Sequence, residues 1–366
     1  MTHGKYEKKP ADHRAGEQES AGGISPRRKK KIWQKVLIIV LVFLLVLAAL
    51  IATAVNYVRG KIGGFEDETT PTGDTASFVD EFETDPPVEG QETLQTVNAG
   101  DVTFESVGEI IDENVVNILL VGQDARAGEG RSRSDSMIMV SLNRAKNSIQ
   151  LTSFMRDTYV QIPGYLNNRL NVPYRYGGPA LLNETLKQNF GVIIDGNVEV
   201  NFQEFATIID ILGGVDIEMN EEEAANMRSE MGVDHAKAGE NHLNGEEALA
   251  FCRIRHLSGG DYARTERQRR VLSALMESFK GASVISILGL IEDVLPHVVT
   301  NLTNTQIINY ATTGLAMLAD GAQISSMRIP ANDAHYEATI DGMMVLVPNL
   351  KMCQDDLIDF IYSTED

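Results

Sequence analysis

One uninterrupted run of twenty uncharged, largely aliphatic residues, Val36 to Val55, constrains the organisation of this chain more than any other feature. About 20 such residues span the hydrocarbon core of a bilayer as a helix, and the run is longer than the apolar stretch of a cleaved signal peptide. A basic cluster, Arg27 to Lys31, precedes the run, whereas only Arg59 and Lys61 follow it closely. The positive-inside rule then predicts a single-pass protein of the cell membrane, with a cytoplasmic N-terminus and an extracellular C-terminal domain.

This run divides the chain into four predicted parts. Residues 1–35 form a cytoplasmic basic tail, and residues 36–55 form the transmembrane helix. Residues 56–113 form an acidic extracellular linker, because a stretch so rich in Asp, Glu, Thr, Gly and Pro buries too little apolar surface to fold alone. Residues 114–366 then leave about 250 residues, which is enough for one large domain with a substantial core.

Hydrophobic patterning in the last part predicts an α/β domain. The run Val115–Val121 is apolar at almost every position, which is typical of a strand buried on both faces. Further strands and helices follow in mixed order, including a helix from Phe202 to Leu212 that stops at Gly213-Gly214. We therefore expect a single domain with a central mixed β-sheet flanked by helices.

The folded part is acidic and uses arginine in place of lysine. The chain carries 32 Lys+Arg against 52 Asp+Glu, yet sixteen arginines and only six lysines follow the apolar run. A need for solubility alone does not explain that bias, whereas planar, forked donors suit phosphate or pyrophosphate. The acidity and the predicted location argue against a nucleic-acid partner.

The first candidate site follows the first strand. Asp124 and Asp135 bracket a loop that carries Arg126, Arg131 and Arg133. Loops after buried strands are where α/β proteins place ligands, and two carboxylates beside arginines can hold a divalent cation next to a phosphate. A solvated loop with surface ion pairs is the alternative, and the sequence alone leaves both open.

Two shorter segments are less specific. Arg156-Asp157 directly follows the strand Ile149–Phe154, so that the arginine reaches over the edge of the sheet, although a structural salt bridge explains the pair as well. The segment Asn171–Gly178 carries two tyrosines and two glycines, and it either lines a pocket or forms a turn before a helix.

The fourth segment gives the strongest signal. Arg253 and Arg255 point to the same side if their segment is extended. On the helix that follows, one face carries Asp261, Arg264 and Gln268, with Arg267 beside it. Several like charges packed together are stable when an anion neutralises them, so this segment predicts an anion site in preference to a charged, solvated helix face.

The cysteines and histidines predict neither a disulfide framework nor a zinc site. The two cysteines are too few for a disulfide framework; Cys252 is expected to be a buried thiol, with one bridge to Cys353 left open. The seven histidines show no metal-ligand spacing, and no zinc site is predicted.

The order of these motifs resembles the LytR-CpsA-Psr family of bacterial envelope proteins. The resemblance covers the chain from about Asn114 onward and is carried by NILLVGQDAR, RSDSM, SFMRDTYVQIPG, LNVPYRYGGPALL, FATIIDILGGVDI, HLNGEEALAFCRIR, GDYARTERQRRVL and VLVPNL. The chain departs from the usual family pattern at Gln123, where Ser is common, and at Ser136, where Thr is usual. These departures remove none of the proposed ligands.

The resemblance implies a ligase that moves a glycopolymer, such as teichoic acid, capsule or a related wall glycan, from an undecaprenyl-pyrophosphate carrier to peptidoglycan as a phosphodiester. It implies Mg²⁺ at Asp124 and Asp135. It also implies that arginines and one glutamine hold the pyrophosphate: Arg126, Arg133, Arg156, Arg253, Arg255, Arg264, Arg267 and Gln268. Of these, Arg156 would act most directly on the transition state. Two alternatives are a polyprenyl-pyrophosphate hydrolase and a non-enzymatic regulator that binds lipid-linked polymer.

Overall fold

The computed structural model describes residues 94–123, 132–255 and 257–363. None of the helices in these ranges is long and apolar enough to cross a membrane. The predicted transmembrane helix, the cytoplasmic tail and most of the acidic linker lie outside the described residues. The loop that carries Asp124, Arg126 and Arg131 also lies outside them.

The described residues form a mixture of strands and helices. The strands are β1 (Val115–Gln123), β2 (Ser134–Asn143), β3 (Ser148–Phe154), β4 (Tyr159–Val160), β5 (Asn168–Arg169), β6 (Gly196–Asn201), β7 (Val215–Met219), β8 (Gly239–Leu243), β9 (Val299–Thr300), β10 (Gln323–Ile329), β11 (His335–Ile340) and β12 (Met343–Pro348). The helices are α1 (Val172–Phe190), α2 (Phe202–Ile211), α3 (Glu221–Ser229), α4 (Gly245–Arg253), α5 (Gly260–Ser278), α6 (Val284–Val294), α7 (Asn304–Ala319) and α8 (Leu350–Leu357).

A central sheet of six strands has the order β10-β3-β2-β1-β6-β9. Strand β1 pairs antiparallel with β2 and parallel with β6, and β3 pairs antiparallel with β2 and parallel with β10. The sheet is therefore mixed, and helices cover both of its faces. The predicted fold class, an α/β domain with a central mixed sheet and flanking helices, is confirmed.

The two faces of the sheet pack differently. Leu119 and Phe154 contribute to the core on one face, together with residues of α1 and α8 such as Leu182 and Leu357. The opposite face presents Val140 and Ile149 to a second core with α7, and α5 packs against its margin. Strand β1 is apolar along most of its length because its alternate residues meet this first core and an apolar cavity on the second face.

A third core lies beside the sheet, between α2, α3, α4, α5 and the antiparallel pair of strands β7 and β8. Helices α3 and α4 both begin with capping boxes, in which Asn220 pairs with Glu223 and Asn244 pairs with Glu247. Each box satisfies backbone donors that the first turn of a helix leaves without partners, so it defines where the helix starts. The second box sets the register of α4 and brings its last residue, Arg253, to the functional site.

Several elements differ from the sequence-based expectation. Helix α1 begins at Val172 with a proline in its first turn, and it is interrupted at Gly177 and Gly178, where the dihedral angles are not helical. The segment that was predicted to be either a pocket wall or a turn is therefore mostly helical. Both cysteines are buried free thiols, which excludes the Cys252–Cys353 bridge that the sequence left open.

The hairpin β11–β12 was missed, although the sequence contains its signal. Asp341 and Gly342 connect the two strands, and both have positive φ angles, of 50° and 80°. Two consecutive residues with positive φ are what a type I′ hairpin turn requires, and Asp-Gly is a preferred pair there. The alternating residues on either side complete a pattern that predicts a hairpin.

Candidate anion site at the head of an apolar cavity

The topology of the sheet brings the sequence-predicted motifs to one edge. Strands β1, β3 and β6 run in the same direction, and β2 runs against them. The C-terminal ends of the three strands therefore meet the start of β2. This arrangement places Asp135, near the start of β2, beside Arg156, which follows β3.

Arg156 is surrounded by carboxylates. Its Nη1 donates a hydrogen bond of 3.0 Å to Oδ1 of Asp135, and its Nε lies 3.5 Å from Oδ2 of Asp157 and 3.8 Å from Oδ1 of Asp261. Burial acts to lower the pKa of Arg156, but these three carboxylates outweigh it and raise the pKa. The guanidinium is thus held charged and oriented at the sheet edge while part of it stays accessible.

Arg264 is the most buried of the site arginines, with a side chain only 3% exposed. Its Nη2 lies 2.6 Å from Oδ1 of Asp261, yet neither Nε nor Nη2 makes a hydrogen bond to any of the residues that the structure describes. Burial lowers the pKa of Arg264, and the neighbouring Arg156 and Arg255 lower it further against the opposing effect of Asp261. The Nε of Arg264 is thus a buried donor without a hydrogen-bond partner, which is costly, and this makes the guanidinium a candidate contact for an anion.

Three further predicted residues complete the group. Gln268 follows Arg264 by one helical turn, and its Oε1 accepts a hydrogen bond of 3.0 Å from the hydroxyl of Ser136. Arg253 and Arg255 are exposed on either side of the buried Ile254, and the guanidinium of Arg253 stacks 4.9 Å above the ring of Phe202. Both arginines face the same cavity, as expected if their side chains point to one side of the segment.

An apolar cavity extends from these polar residues between the sheet and the helices. Its first compartment, of about 270 Å³, is lined by Asp135, Arg253, Arg255, Arg264 and Gln268 at one end and by aliphatic residues elsewhere. A second compartment of about 410 Å³ shares walls with the first at positions such as Leu120, Val198 and Leu272. Residues of α6 and α7 close the second compartment, whose lining is almost entirely apolar.

Arg267 is not brought into this group. Its Nε donates to the buried Glu223 at 2.9 Å, and its Nη1 donates to the backbone oxygen of Ile254 at 3.1 Å. Arg270 joins the same carboxylate, with Nη1 at 2.7 Å from Oε1 of Glu223. The predicted pyrophosphate contact of Arg267 therefore has no geometric support, because its donors hold α3 and α5 together.

Of the remaining predicted residues, the structure describes only Arg133. Arg133 precedes Asp135 by two residues and is partly buried. Asp124 and Arg126 lie outside the described residues, so their predicted roles stay predictions. No group of three or more metal-binding side chains occurs within residues 94–123, 132–255 and 257–363.

Sequence reasoning placed Asp261 on the same helix face as Arg264 but assigned it no role, and it did not single out Glu199. Asp261 contacts both Arg156 and Arg264, so it couples the arginine after β3 to the arginine of α5. Glu199 accepts hydrogen bonds from Gln123 and from the buried Tyr174, at the end of β1. The available signal for Asp261 was its helical spacing from Arg264; for Glu199 it was the single charge between two valines of β6.

The fold and the site together define an α/β protein with a cluster of arginines at the mouth of an apolar cavity. The sequence model of the LytR-CpsA-Psr family (LytR_cpsA_psr) matches residues 84–357. The chain therefore belongs to this family.

The comparisons with individual proteins agree with that assignment. The chain is 39% identical to a protein of Bacillus mycoides named polyisoprenyl-teichoic acid–peptidoglycan teichoic acid transferase TagU, over 62% of this chain and 72% of the relative. It is 31% identical to the regulatory protein MsrR of Staphylococcus aureus, over 63% of this chain and 69% of the relative. The fold matches that of TagT (YwtF) of Bacillus subtilis with bound octaprenyl pyrophosphate lipid, with a TM-score of 0.54 and 23% identity, over 75% of this chain and 100% of that one.

Proposed function

We propose that this protein transfers a glycopolymer from undecaprenyl pyrophosphate to peptidoglycan and forms a phosphodiester. The observation that carries the proposal is Arg264, a buried guanidinium that pairs with Asp261 through Nη2 and whose Nε makes no hydrogen bond within the described residues, at the polar end of an apolar cavity. A ligand that satisfies both ends of this site has a phosphate-rich head and a long hydrocarbon chain. The names of TagU and of the lipid-bound TagT support such a ligand and a transfer reaction.

The pyrophosphate group lies among Arg156, Arg253, Arg255 and Arg264, and the polyprenyl chain occupies the cavity. Arginine suits this position because its planar fork pairs with two phosphate oxygens at once. Gln268 accepts a hydrogen bond from Ser136, which holds its side-chain amide beside these arginines. The glycopolymer extends away from the cavity, since the cavity lining beyond the arginines is apolar.

The reaction is a displacement at phosphorus. A hydroxyl oxygen of a peptidoglycan sugar attacks the phosphorus that carries the glycopolymer, and the bond from this phosphorus to the bridging oxygen breaks. Polyprenyl phosphate leaves with that oxygen, and the hydroxyl proton passes to a base or to water. Phosphoryl transfer depends mainly on positioning and charge stabilisation, and Arg156 supplies a fixed positive charge at the sheet edge.

Mg²⁺ is the expected cofactor, and the residues present fit it. Asp135 offers a carboxylate at the mouth of the cavity, and Asp124 is proposed as a second ligand. Mg²⁺ usually takes one or two protein carboxylates, with substrate oxygens and water completing its coordination. When bound, the ion polarises the pyrophosphate oxygens and offsets their charge. We also propose that the apolar run Val36–Val55 anchors the protein in the cell membrane, with this domain outside.

Release of polyprenyl phosphate by the full-length protein in detergent tests the proposal. The donor is a short glycan on polyprenyl pyrophosphate, and reactions contain Mg²⁺ or a chelator, with and without a peptidoglycan oligomer. The proposal predicts release that requires Mg²⁺ and that joins glycan to peptidoglycan through a phosphodiester. Release without attachment would indicate a hydrolase, and binding without release would indicate a regulator, a role that the name MsrR suggests for one relative.

A substitution in the cavity wall provides a further prediction. Gly314 on α7 lines the larger compartment, and a Cβ at this position would meet no atom within 4 Å. Gly314→Leu fills space that the chain of the donor needs, so we expect transfer to fall at least about tenfold, the scale on which small size changes in apolar pockets discriminate between ligands. The measurement is the rate of transfer at fixed donor concentration.

Gly314→Ala is the matched control. It adds one methyl group and removes a glycine from a helix interior, so the free energy of unfolding should rise by roughly 0.5–1 kcal/mol. Most of the transfer activity should remain. Full activity of Gly314→Leu would show that the larger compartment does not hold the hydrocarbon chain.

A further inference from the structure

Helix α6 carries an exposed apolar surface that the proposed reaction does not use. Val284, Ile285 and Leu288 lie within two turns on its outer side, and Ile285 is 84% exposed. We call these three residues the apolar tip. Single exposed hydrophobic residues are common on protein surfaces, but a contiguous group marks an interaction site.

The inner side of the same helix faces the cavity. Ile287, Leu290, Ile291 and Val294 line its larger compartment. Helix α6 is therefore apolar toward both the cavity and the outside, a property of helices that are buried in a protein or in lipid. One side of the helix thus lines the space proposed for a hydrocarbon chain, and the other side is an apolar outer surface.

The apolar tip lies at the end of the cavity that is distant from the arginines. Helix α5 starts next to Asp261 and has 19 residues, so it leads about 28 Å away from the anion site. Phe279, which follows α5, lines the larger compartment, and α6 begins five residues later. The head of the cavity thus holds the charged groups, and its distant end lies beneath the apolar tip.

We infer that the apolar tip inserts into the surface of the lipid bilayer, so that the distant end of the cavity faces the membrane and a polyprenyl chain enters from there. The inference rests on the proposed function, because it needs a lipid-linked donor and a membrane-anchored chain. The hydrocarbon chain then passes from lipid to cavity with little exposure to water. The pyrophosphate is held away from the membrane surface, where the cell-wall acceptor is accessible.

Two observations favour a bilayer over a second protein copy. Three side chains cover far less area than the roughly 1,200 Å² that stable protein interfaces bury, but shallow insertion of an apolar helix face requires no more. The acidic residues of α6, Glu292 and Asp293, lie near its C-terminal end, so the apolar tip itself carries no charge.

Depth-dependent fluorescence in vesicles tests the inference directly. Trp33 is the single tryptophan of the chain and is replaced by phenylalanine. Ile285→Trp is then introduced in the full chain, which is reconstituted in vesicles that contain brominated phosphatidylcholine. Contact with the acyl chains should quench this tryptophan by at least about half.

The matched control is Leu166→Trp in the same background. Leu166 is 72% exposed and lies in the loop between β4 and β5, a few residues after Arg156 in the chain. Its fluorescence should be unaffected by the brominated lipid. Absence of quenching at position 285, or equal quenching at both positions, would overturn the inference.

A kinetic experiment separates this inference from the proposed function. Ile285→Asp should slow transfer on the order of tenfold or more when the donor is in vesicles, because a charge replaces the aliphatic side chain that enters the lipid. The same variant should match the unchanged protein when donor and protein are dispersed in detergent. Equal transfer rates for Ile285→Asp and the unchanged protein in vesicles would contradict membrane insertion. Absence of transfer by the unchanged protein in detergent would contradict the proposed function itself.

Discussion

Replacing Arg156 with alanine is expected to lower the rate of glycopolymer transfer by at least about a thousandfold, the scale on which an arginine stabilises phosphoryl transfer. Arg156 is the site arginine that is held by three carboxylates and remains partly accessible at the sheet edge. Its charge is therefore oriented before substrate binds, which is the condition for stabilising charge that develops in a transition state. Initial rates with a lipid-pyrophosphate donor measure the effect.

Two variants serve as controls for Arg156→Ala. Arg156→Lys keeps the charge but loses the fork, and we expect only partial recovery of the rate. Arg144→Ala removes an arginine that follows β2 at the opposite edge of the sheet, where it donates to the backbone oxygens of Glu113 and Asn114. This variant should retain full activity. Full transfer by Arg156→Ala, in a protein with an unchanged unfolding transition, would exclude the role assigned to Arg156.

Replacing Glu223 with alanine is expected to reduce the free energy of unfolding by about 3–5 kcal/mol, as when one partner of a buried ion pair is removed. Glu223 is only 3% exposed and accepts hydrogen bonds from Arg267 and Arg270. Without it, the buried guanidinium of Arg267 loses its carboxylate partner. Chemical denaturation measures the change.

The neighbouring Glu221 provides the comparison. It pairs with Arg228 at 3.2 Å, but both side chains are exposed, so Glu221→Ala should cost at most about 1 kcal/mol. If the two substitutions have equal effects, Glu223 does not stabilise the contact between α3 and α5 in the way that its burial indicates.

The pH dependence of stability gives a second measurement on the same residue. Burial acts to raise the pKa of Glu223, but hydrogen bonds from Arg270, the backbone of Asn220 and Arg267 outweigh it and hold the pKa below its usual value. The folded state therefore binds this proton less readily than the unfolded state. Its contribution is present above the unfolded pKa and is lost as the pH falls through the folded pKa. Glu223→Ala should remove that part of the acid sensitivity.

Much of the site was accessible from local sequence. The strand that ends before Asp124, the Arg156-Asp157 pair after β3 and the face formed by Asp261, Arg264 and Gln268 were all identified from position and spacing. These inferences succeeded because they depend on periodicity within a single element and on the rule that ligands bind beyond strand ends. The arginine content was sufficient to indicate an anionic ligand.

The contrast between Arg264 and Arg267 was beyond the sequence. The two residues are three positions apart on α5, so helical periodicity places them on adjoining faces and predicts similar surroundings. One meets the cavity beside Asp261, and the other meets Glu223, which is 44 residues away in the chain. Which face meets which partner depends on how α5 packs against α3 and the sheet.

The sequence by itself determined the fold class and the family motifs and predicted an anionic ligand, because each follows from composition or from spacing within one segment. The tertiary structure alone decided where the cavity lies, which arginines reach its mouth and that Asp261 joins Arg156 to Arg264. It also decided that α6 is apolar on both its cavity side and its outer side. These features arise between elements that are distant in the chain. The packing that brings such elements together produces no periodic pattern in the sequence of either one.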